Sequence, residues 1–265
     1  MGHREKVIRM SRDPLLKETA LLDYSDAHIQ ALIAQRGWRD LAPGDRAQAA
    51  YQFVKDEITF GYNRDDNLPA SAVLLDGYGQ CNTKTTLLMA LFRALDIKCQ
   101  FHGFTIHKSL QRGIVPELVY PLAPNDILHS WVEAYVEDEW LTLEGFILDA
   151  PVLSALKAAY PDSQSLCAYG VGTEALHADA TEWTGGDTFI QKTGINQDFG
   201  TFPSPDAFYA VHRQLRGLKG VLYRSFVRHW MNARVRRIRQ GIVPDIPETS
   251  FTDATLCHPD QKEAL

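Results

Sequence analysis

Gly77-Tyr78-Gly79-Gln80-Cys81 runs directly into an apolar helical pattern, with Leu88, Leu91, Phe92 and Leu95 at i, i+3, i+4 and i+7. This spacing predicts a helix that opens at Cys81. Unpaired N–H groups and the positive end of the helix dipole gather at such a start. A thiol held there is expected to have a lowered pKa and to favour the thiolate, which is the nucleophilic form. Cys81 therefore reads as a catalytic thiol. Such a thiol needs a base, and the base needs an orienting group.

The base and the orienting group come from the stretch with strict alternation. In Ile127–Val136, Leu128, Ser130, Val132, Ala134 and Val136 face one way, and His129, Trp131, Glu133 and Tyr135 the other. Glu137-Asp138 is turn-like, and Trp140–Glu144 alternates again, which is a hairpin pattern. Val132, Ala134 and Val136 should share a face with Leu141 and Leu143. A two-residue turn pairing Val136 with Glu139 satisfies that condition and sets His129 and Glu144 one diagonal step apart on one face. Asp149 is the competing acid and falls on the wrong face unless the strand bends after Gly145. A buried cysteine at a helix start is inert in most proteins, and a lone strand histidine is usually structural. The conjunction Cys81, His129, Glu144 is what carries the reading.

Three motifs in order then resemble the transglutaminase-like superfamily in its simple, stand-alone bacterial form: Gly79-Gln80-Cys81 opening a helix, His129-Ser130-Trp131-Val132-Glu133 on a strand, and Trp140–Glu144 on the next. The resemblance covers about residues 47–149. It implies an α+β fold with a papain-like core, in which the helix bearing the nucleophile packs on an antiparallel sheet. It further implies acyl transfer through a thioester, with Cys81 as nucleophile, His129 as base and Glu144, where the family usually has Asp, as third member. The Cys81 N–H would bind the oxyanion, aided by a side-chain donor for which Gln80 and Tyr62 are the candidates. Water as acceptor makes the protein an amide or peptide hydrolase, the favoured reading. An amine makes it a transglutaminase or amide synthase. A scaffold that keeps the fold and binds a partner is the third alternative. No calcium-ligand loop is present, and no metal or cofactor is expected.

The remaining chain bounds these readings. Its 265 residues carry a net charge of -6, which gives no nucleic-acid footprint, and no run reaches a membrane span. The polar start through Asp13 lacks a secretory leader's apolar stretch. Cys81, Cys99, Cys167 and Cys257 are scattered without ligand spacing, so reduced thiols in a cytoplasmic protein are expected. Three segments are expected: a helical lead-in over 1–45, with helices over Leu15–Leu22, from Ser25 or Asp26 to Gly37, and over Pro43–Lys55; a catalytic core over 46–150; and a C-terminal extension over 151–265. The loop Lys108–Asn125 is either a binding edge or a plain insertion.

In the extension, Ser154–Tyr160 reads as helical and Cys167–Ser204 as irregular, its aromatic residues serving as anchors or as a substrate cover. Asp206–Gln240 reads as a helix broken at Gly217 or Gly220, and the tail from Ile242 as loosely ordered. Val211–Gln240 holds nine Lys and Arg and no acid, leaving -15 on the remainder. Such a basic amphipathic segment packs on its own acidic domain or lies on a partner or an anionic membrane surface. The substrate is expected to be a small amide or a peptide or protein.

Overall fold

The computed structural model describes residues 13–214 and 217–246. The start before Asp13, Leu215, Arg216, the side chain of Leu218, the Cys257-His258 pair and most of the tail after Ile242 lie outside them, so the expectations there are not addressed. Local signals set the first helices. Asp26 caps α1 (Ala27–Arg36), accepting from the His28 N–H, and Gly37 ends it at φ 64, in the left-handed region where glycine carries no Cβ penalty. Pro43 opens α2 (Pro43–Asp56). The helix expected over Leu15–Leu22 does not form, and only a 3-10 turn, Pro14–Leu16, is present. The Leu21 N–H and the Thr19 hydroxyl both donate to Asp206, so a distant carboxylate takes the groups that a helix would have used locally.

Strand β1 (Thr59–Phe60) pairs in parallel with β2 (Tyr78–Gly79), and α3 (Ala70–Asp76) lies between them in sequence. Gly79 then feeds α4 (Cys81–Ala94). A Cβ on Gly79 would lie 2.7 Å from Thr83 Oγ1 and 2.9 Å from Lys84 Cγ, so only glycine lets the chain turn so tightly into that helix. Every residue of α4 is buried. Leu88, Leu91 and Phe92 are fully buried in the core, and each such side chain contributes about 1.5–3 kcal/mol.

The sheet is antiparallel, in the order β5-β4-β3-β8, with β3 (Cys99–His107), β4 (Asp126–Val136), β5 (Glu139–Leu143) and β8 (Ile195–Phe202). This is the α+β, papain-like arrangement, with the cysteine-bearing helix against an antiparallel sheet. The expected hairpin register is present: Val136 pairs with Glu139 and Val132 with Leu143. Glu137 (φ 51) and Asp138 (φ 68) both take left-handed backbone, as the tight primed hairpin turn demands.

The extension departs most from its reading. Helix α5 (Ala150–Ala159) starts earlier than expected because Asp149 caps it, accepting from the Val152 N–H. The stretch read as irregular holds a small hairpin, β6 (Leu166–Ala168) with β7 (Val171–Thr173), and strand β8, which extends the main sheet beside β3. Strand β8 alternates poorly because most of it is exposed or half-buried, so its sequence carries no clear period. Its aromatic residues are anchors: Trp183 meets Tyr51 edge-on, and Phe199 and Phe202 pack on Phe208. The C-terminal segment forms α6 (Pro205–Val211), α7 (Gly217–Leu222), one π-helical turn (Tyr223–Val227) and α8 (Arg228–Arg239), with the break falling before Gly217. The main buried apolar cluster runs from Leu21 through Leu88 to Val235 and Ile246, and a smaller one gathers Phe104, Ile106, Leu110 and Cys167. Cys81 and Cys99 are free thiols. Cys167 is disulfide-bonded, so the expectation of four reduced thiols fails there. Among the described residues no helix is long and apolar enough to cross a membrane.

Candidate active site

Two polar side chains of α4 set Cys81 against the strand that carries His129. Asn82 Nδ2 donates to the Leu128 carbonyl at 3.0 Å, and Thr85 Oγ1 to the Ser130 carbonyl at 3.3 Å. Ser130 Oγ donates back to Asn82 Oδ1 at 2.9 Å. These bonds grip β4 on either side of residue 129. They also satisfy polar groups that would be costly to bury alone, at about 1–3 kcal/mol each.

The structure brings His129 and Glu144 together. His129 Nε2 and Glu144 Oε1 are 2.8 Å apart, and both side chains are fully buried. The other carboxylate oxygen, Oε2, accepts the N–H groups of Ile190 and Gln191, each at 3.0 Å. Thr188 holds the backbone beneath, where its Oγ1 accepts from Glu144 N and Gly145 N. A Cβ on Gly145 would lie 2.6 Å from the Tyr51 hydroxyl and 2.7 Å from the Thr181 Cα, so glycine is required for this close approach. With Nε2 committed to Glu144, His129 Nδ1 is left buried and without a hydrogen-bond partner. Backbone N–H groups of Asn82 and Ser130 both favour the Cys81 thiolate.

Asp149 is elsewhere. Besides capping α5, it accepts from Phe60 N at 2.7 Å and pairs with Arg239 at 2.6 Å, and the guanidinium and these N–H groups hold its carboxyl below the usual range against the effect of burial. Gln80 is committed too: its Oε1 accepts from Asn63 N, and its Nε2 donates to Asp66 Oδ1 at 2.8 Å. Tyr62 borders the same cavity as Cys81. Its phenol is pushed up, by burial first and by Cys81 second.

One expectation is reversed. The Cys81 thiol is pushed well above the usual thiol range, not below it. Burial is the main cause, since Cys81 is only 8% exposed, and the neighbouring Asp66 carboxyl adds to it. The helix start and the N–H groups of Asn82 and Ser130 do not offset those two effects. Asp66 is itself pushed up, by burial, against the hydrogen bonds from Gln80 and Asn82. An Asp66→Asn substitution should keep the Gln80 contact and remove the opposing charge. Alkylation of Cys81 by iodoacetamide at pH 7 should then become faster, and an unchanged or slower rate would remove Asp66 from this account.

The thiol opens on a cavity of about 590 Å³. Its walls include Leu110, Val115 and Val119 of the loop Lys108–Asn125, and Tyr209, Val227 and Met231 of the C-terminal segment. Part of the long loop thus lines the cavity. The C-terminal segment is fastened over β1: Asn232 accepts from Tyr62 N at 2.7 Å and donates to Tyr62 O at 3.0 Å, while Arg239 reaches both Asp149 and Phe60 O.

Sequence reasoning missed Thr188, the Ile190 and Gln191 amides, Asp66 and Tyr209. Tyr209 has a buried hydroxyl without a partner, and its phenol is pushed up by burial, then by Asp66 and Cys81. The only signal for these residues was their polarity near aromatic anchors, which names no partner.

A helix-borne cysteine facing a strand-borne His–carboxylate pair on an antiparallel sheet defines the papain-like class. Residues 31–145 match the model of the transglutaminase-like superfamily. No curated protein matches the chain. A solved structure from Cytophaga hutchinsonii, provisionally named a cysteine protease, is similar at 13% identity with a TM-score of 0.43. The similarity covers 77% of this chain and 51% of that one, so the chain spans about half of its length.

Proposed function

We propose that this protein is a cysteine-dependent amide hydrolase working through a thioester, with Cys81, His129 and Glu144 as its catalytic residues. The observation that carries the reading is the buried His129–Glu144 pair, which leaves Nδ1 as the one ring nitrogen without a partner. Glu144 keeps the proton on Nε2, so Nδ1 is free to accept from the thiol. Because the thiol is pushed up, it reacts as a neutral S–H that loses its proton during attack. The Cys81 sulfur bonds to the amide carbon while His129 Nδ1 takes the thiol proton. The C–N bond then breaks as that proton passes to the departing amine, leaving a thioester. Water adds to the thioester with its proton going to His129, and the C–S bond breaks as that proton passes to the Cys81 sulfur, which releases the acid and restores the thiol. The Cys81 N–H, with Tyr62 as side-chain donor, would hold the oxyanion.

The test uses p-nitrophenyl decanoate as an acyl donor. Intact-mass measurement should find one decanoyl group on Cys81, absent from His129→Ala, and adding a primary amine should leave free acid as the main product. Iodoacetamide should also label Cys81, which opens on the cavity, ahead of Cys99, which is fully buried and lines no part of it. Equal, slow labelling of the two thiols would sink the reading. Predominant amide formation would convert it to an acyltransferase.

A further inference from the structure

The cavity beside Cys81 holds two buried polar atoms that nothing among the described residues satisfies. One is the Tyr209 hydroxyl, a donor, and the other is Gln191 Oε1, an acceptor. Gln191 is held in place from both ends, its backbone N–H on Glu144 Oε2 and its Nε2 on the Gly170 carbonyl, so its free oxygen is an oriented one. Orphaned buried polar atoms are uncommon and call for an explanation. A donor and an acceptor lining one cavity match a carbonyl and an N–H, the two polar ends of a secondary amide. The wall is mostly apolar, and the volume is that of a small-molecule site.

The charged side chains lining the cavity are Arg64, Arg213, Lys219 and Arg224 against Asp65 and Asp66, a surplus of cations on an otherwise acidic chain. Arg213 and Lys219 line the cavity, are exposed, and have no carboxylate partner among the described residues. Of the nine cations in Val211–Gln240, the described pairs to carboxylates involve only Arg224, at 3.9 Å from Asp65, and Arg239 on Asp149. Among the described residues most of the segment's cations are thus without a carboxylate, and Arg213 and Lys219 bring positive charge to the cavity.

We propose that this site takes a small acidic amphiphile containing a secondary amide. Its apolar chain would fill the cavity, its amide would lie between Tyr209 and Gln191 beside Cys81, and its anionic end would rest on Arg213 and Lys219. This rests on the hydrolase reading for what happens to the amide, but binding itself is measured without turnover.

Calorimetry on the full-length Cys81→Ala protein with N-decanoylglycine, below its micelle concentration, tests it. The uncharged N-decanoylglycinamide should bind about fivefold or more weaker, and raising the salt should narrow that gap. The N-methyl analogue lacks the amide N–H and leaves Gln191 Oε1 unpaired, so it should bind about tenfold weaker. That penalty should shrink in Gln191→Leu. Tyr209→Phe should weaken N-decanoylglycine about fivefold. Arg213→Glu with Lys219→Glu should erase the preference for the acid over the amide. Equal binding of all three ligands would overturn the proposal. So would binding confined to phosphatidylglycerol vesicles with none to the monomeric amphiphile, an outcome that would make the basic segment with exposed Phe226 and Trp230 a membrane contact. Acylation of Cys81 without N-decanoylglycine binding would refute this substrate class and leave the hydrolase. Binding without acylation would do the reverse.

Discussion

Glu144→Gln should lower kcat by about 10³- to 10⁴-fold, nearly as much as Cys81→Ala, while leaving the melting temperature close to that of the native protein. The size of the effect follows from proton bookkeeping. In the native protein both Glu144 oxygens accept, one from His129 Nε2 and the other from the Ile190 and Gln191 N–H groups. A glutamine has one accepting oxygen and one donating nitrogen. The two backbone N–H groups require the oxygen, so the amide NH₂ must face His129. Nε2 is then forced to accept, the proton moves to Nδ1, and the nitrogen needed to take the thiol proton is already protonated. The fold loses little, since the side chain has the same shape and both N–H groups keep an acceptor. Glu144→Asp restores the carboxylate common in the family but shortens the reach. It should recover part of the lost rate and place the proton correctly. Combining Glu144→Gln with Cys81→Ala should cost no more than Cys81→Ala alone, because residues acting as one unit are not additive. Single-turnover acylation by p-nitrophenyl decanoate measures the four variants against the native protein. A Glu144→Gln protein acylating within tenfold of native would remove Glu144 from the mechanism.

Much of this site was legible because strands have a period of two. Once Val132, Ala134 and Val136 had to share a face with Leu141 and Leu143, the position of Glu144 relative to His129 followed, and the structure has that register. Caps were equally readable at Asp26 and Gly37, where a side chain or a φ requirement acts within three residues. What escaped were contacts that no local pattern announces. The amides that hold Glu144 come from residues 46 and 47 positions further on, and Tyr209 enters the cavity from a helix beyond the region of family resemblance. The pKa of Cys81 was misjudged for the same reason: a helix start is visible in sequence, whereas burial and the approach of Asp66 are properties of the assembled fold.

Lys84 shows how much polarity the helix bearing Cys81 tolerates, and it gives the second large effect. Its side chain is fully buried, and its Nζ donates to the carbonyls of Ile147 at 3.0 Å and Lys55 at 3.4 Å. Burial pulls its pKa down to about 7, with Asp149 and Asp56 opposing, whereas an unfolded lysine titrates near 10.4. Between those two values the unfolded chain binds a proton that the folded one does not, so stability rises with pH across the window. The cost of holding the charge inside is fully present below about pH 7 and fades as pH approaches about 10. The slope reaches at most about 1.4 kcal/mol per pH unit. A Lys84→Met protein lacks this titration and leaves two carbonyls without their donor, a loss of about 1–3 kcal/mol that does not change with pH. Urea unfolding of both proteins from pH 6.5 to 9.5 should therefore diverge steadily, the native protein gaining about 3 kcal/mol relative to Lys84→Met over that range. Parallel curves would mean that Lys84 stays charged in the fold, solvated by the carbonyls it touches. Lys84 does not line the cavity, so acylation of Cys81 at pH 7 should be the same in both proteins, separating what holds this helix in the core from what its first residue does.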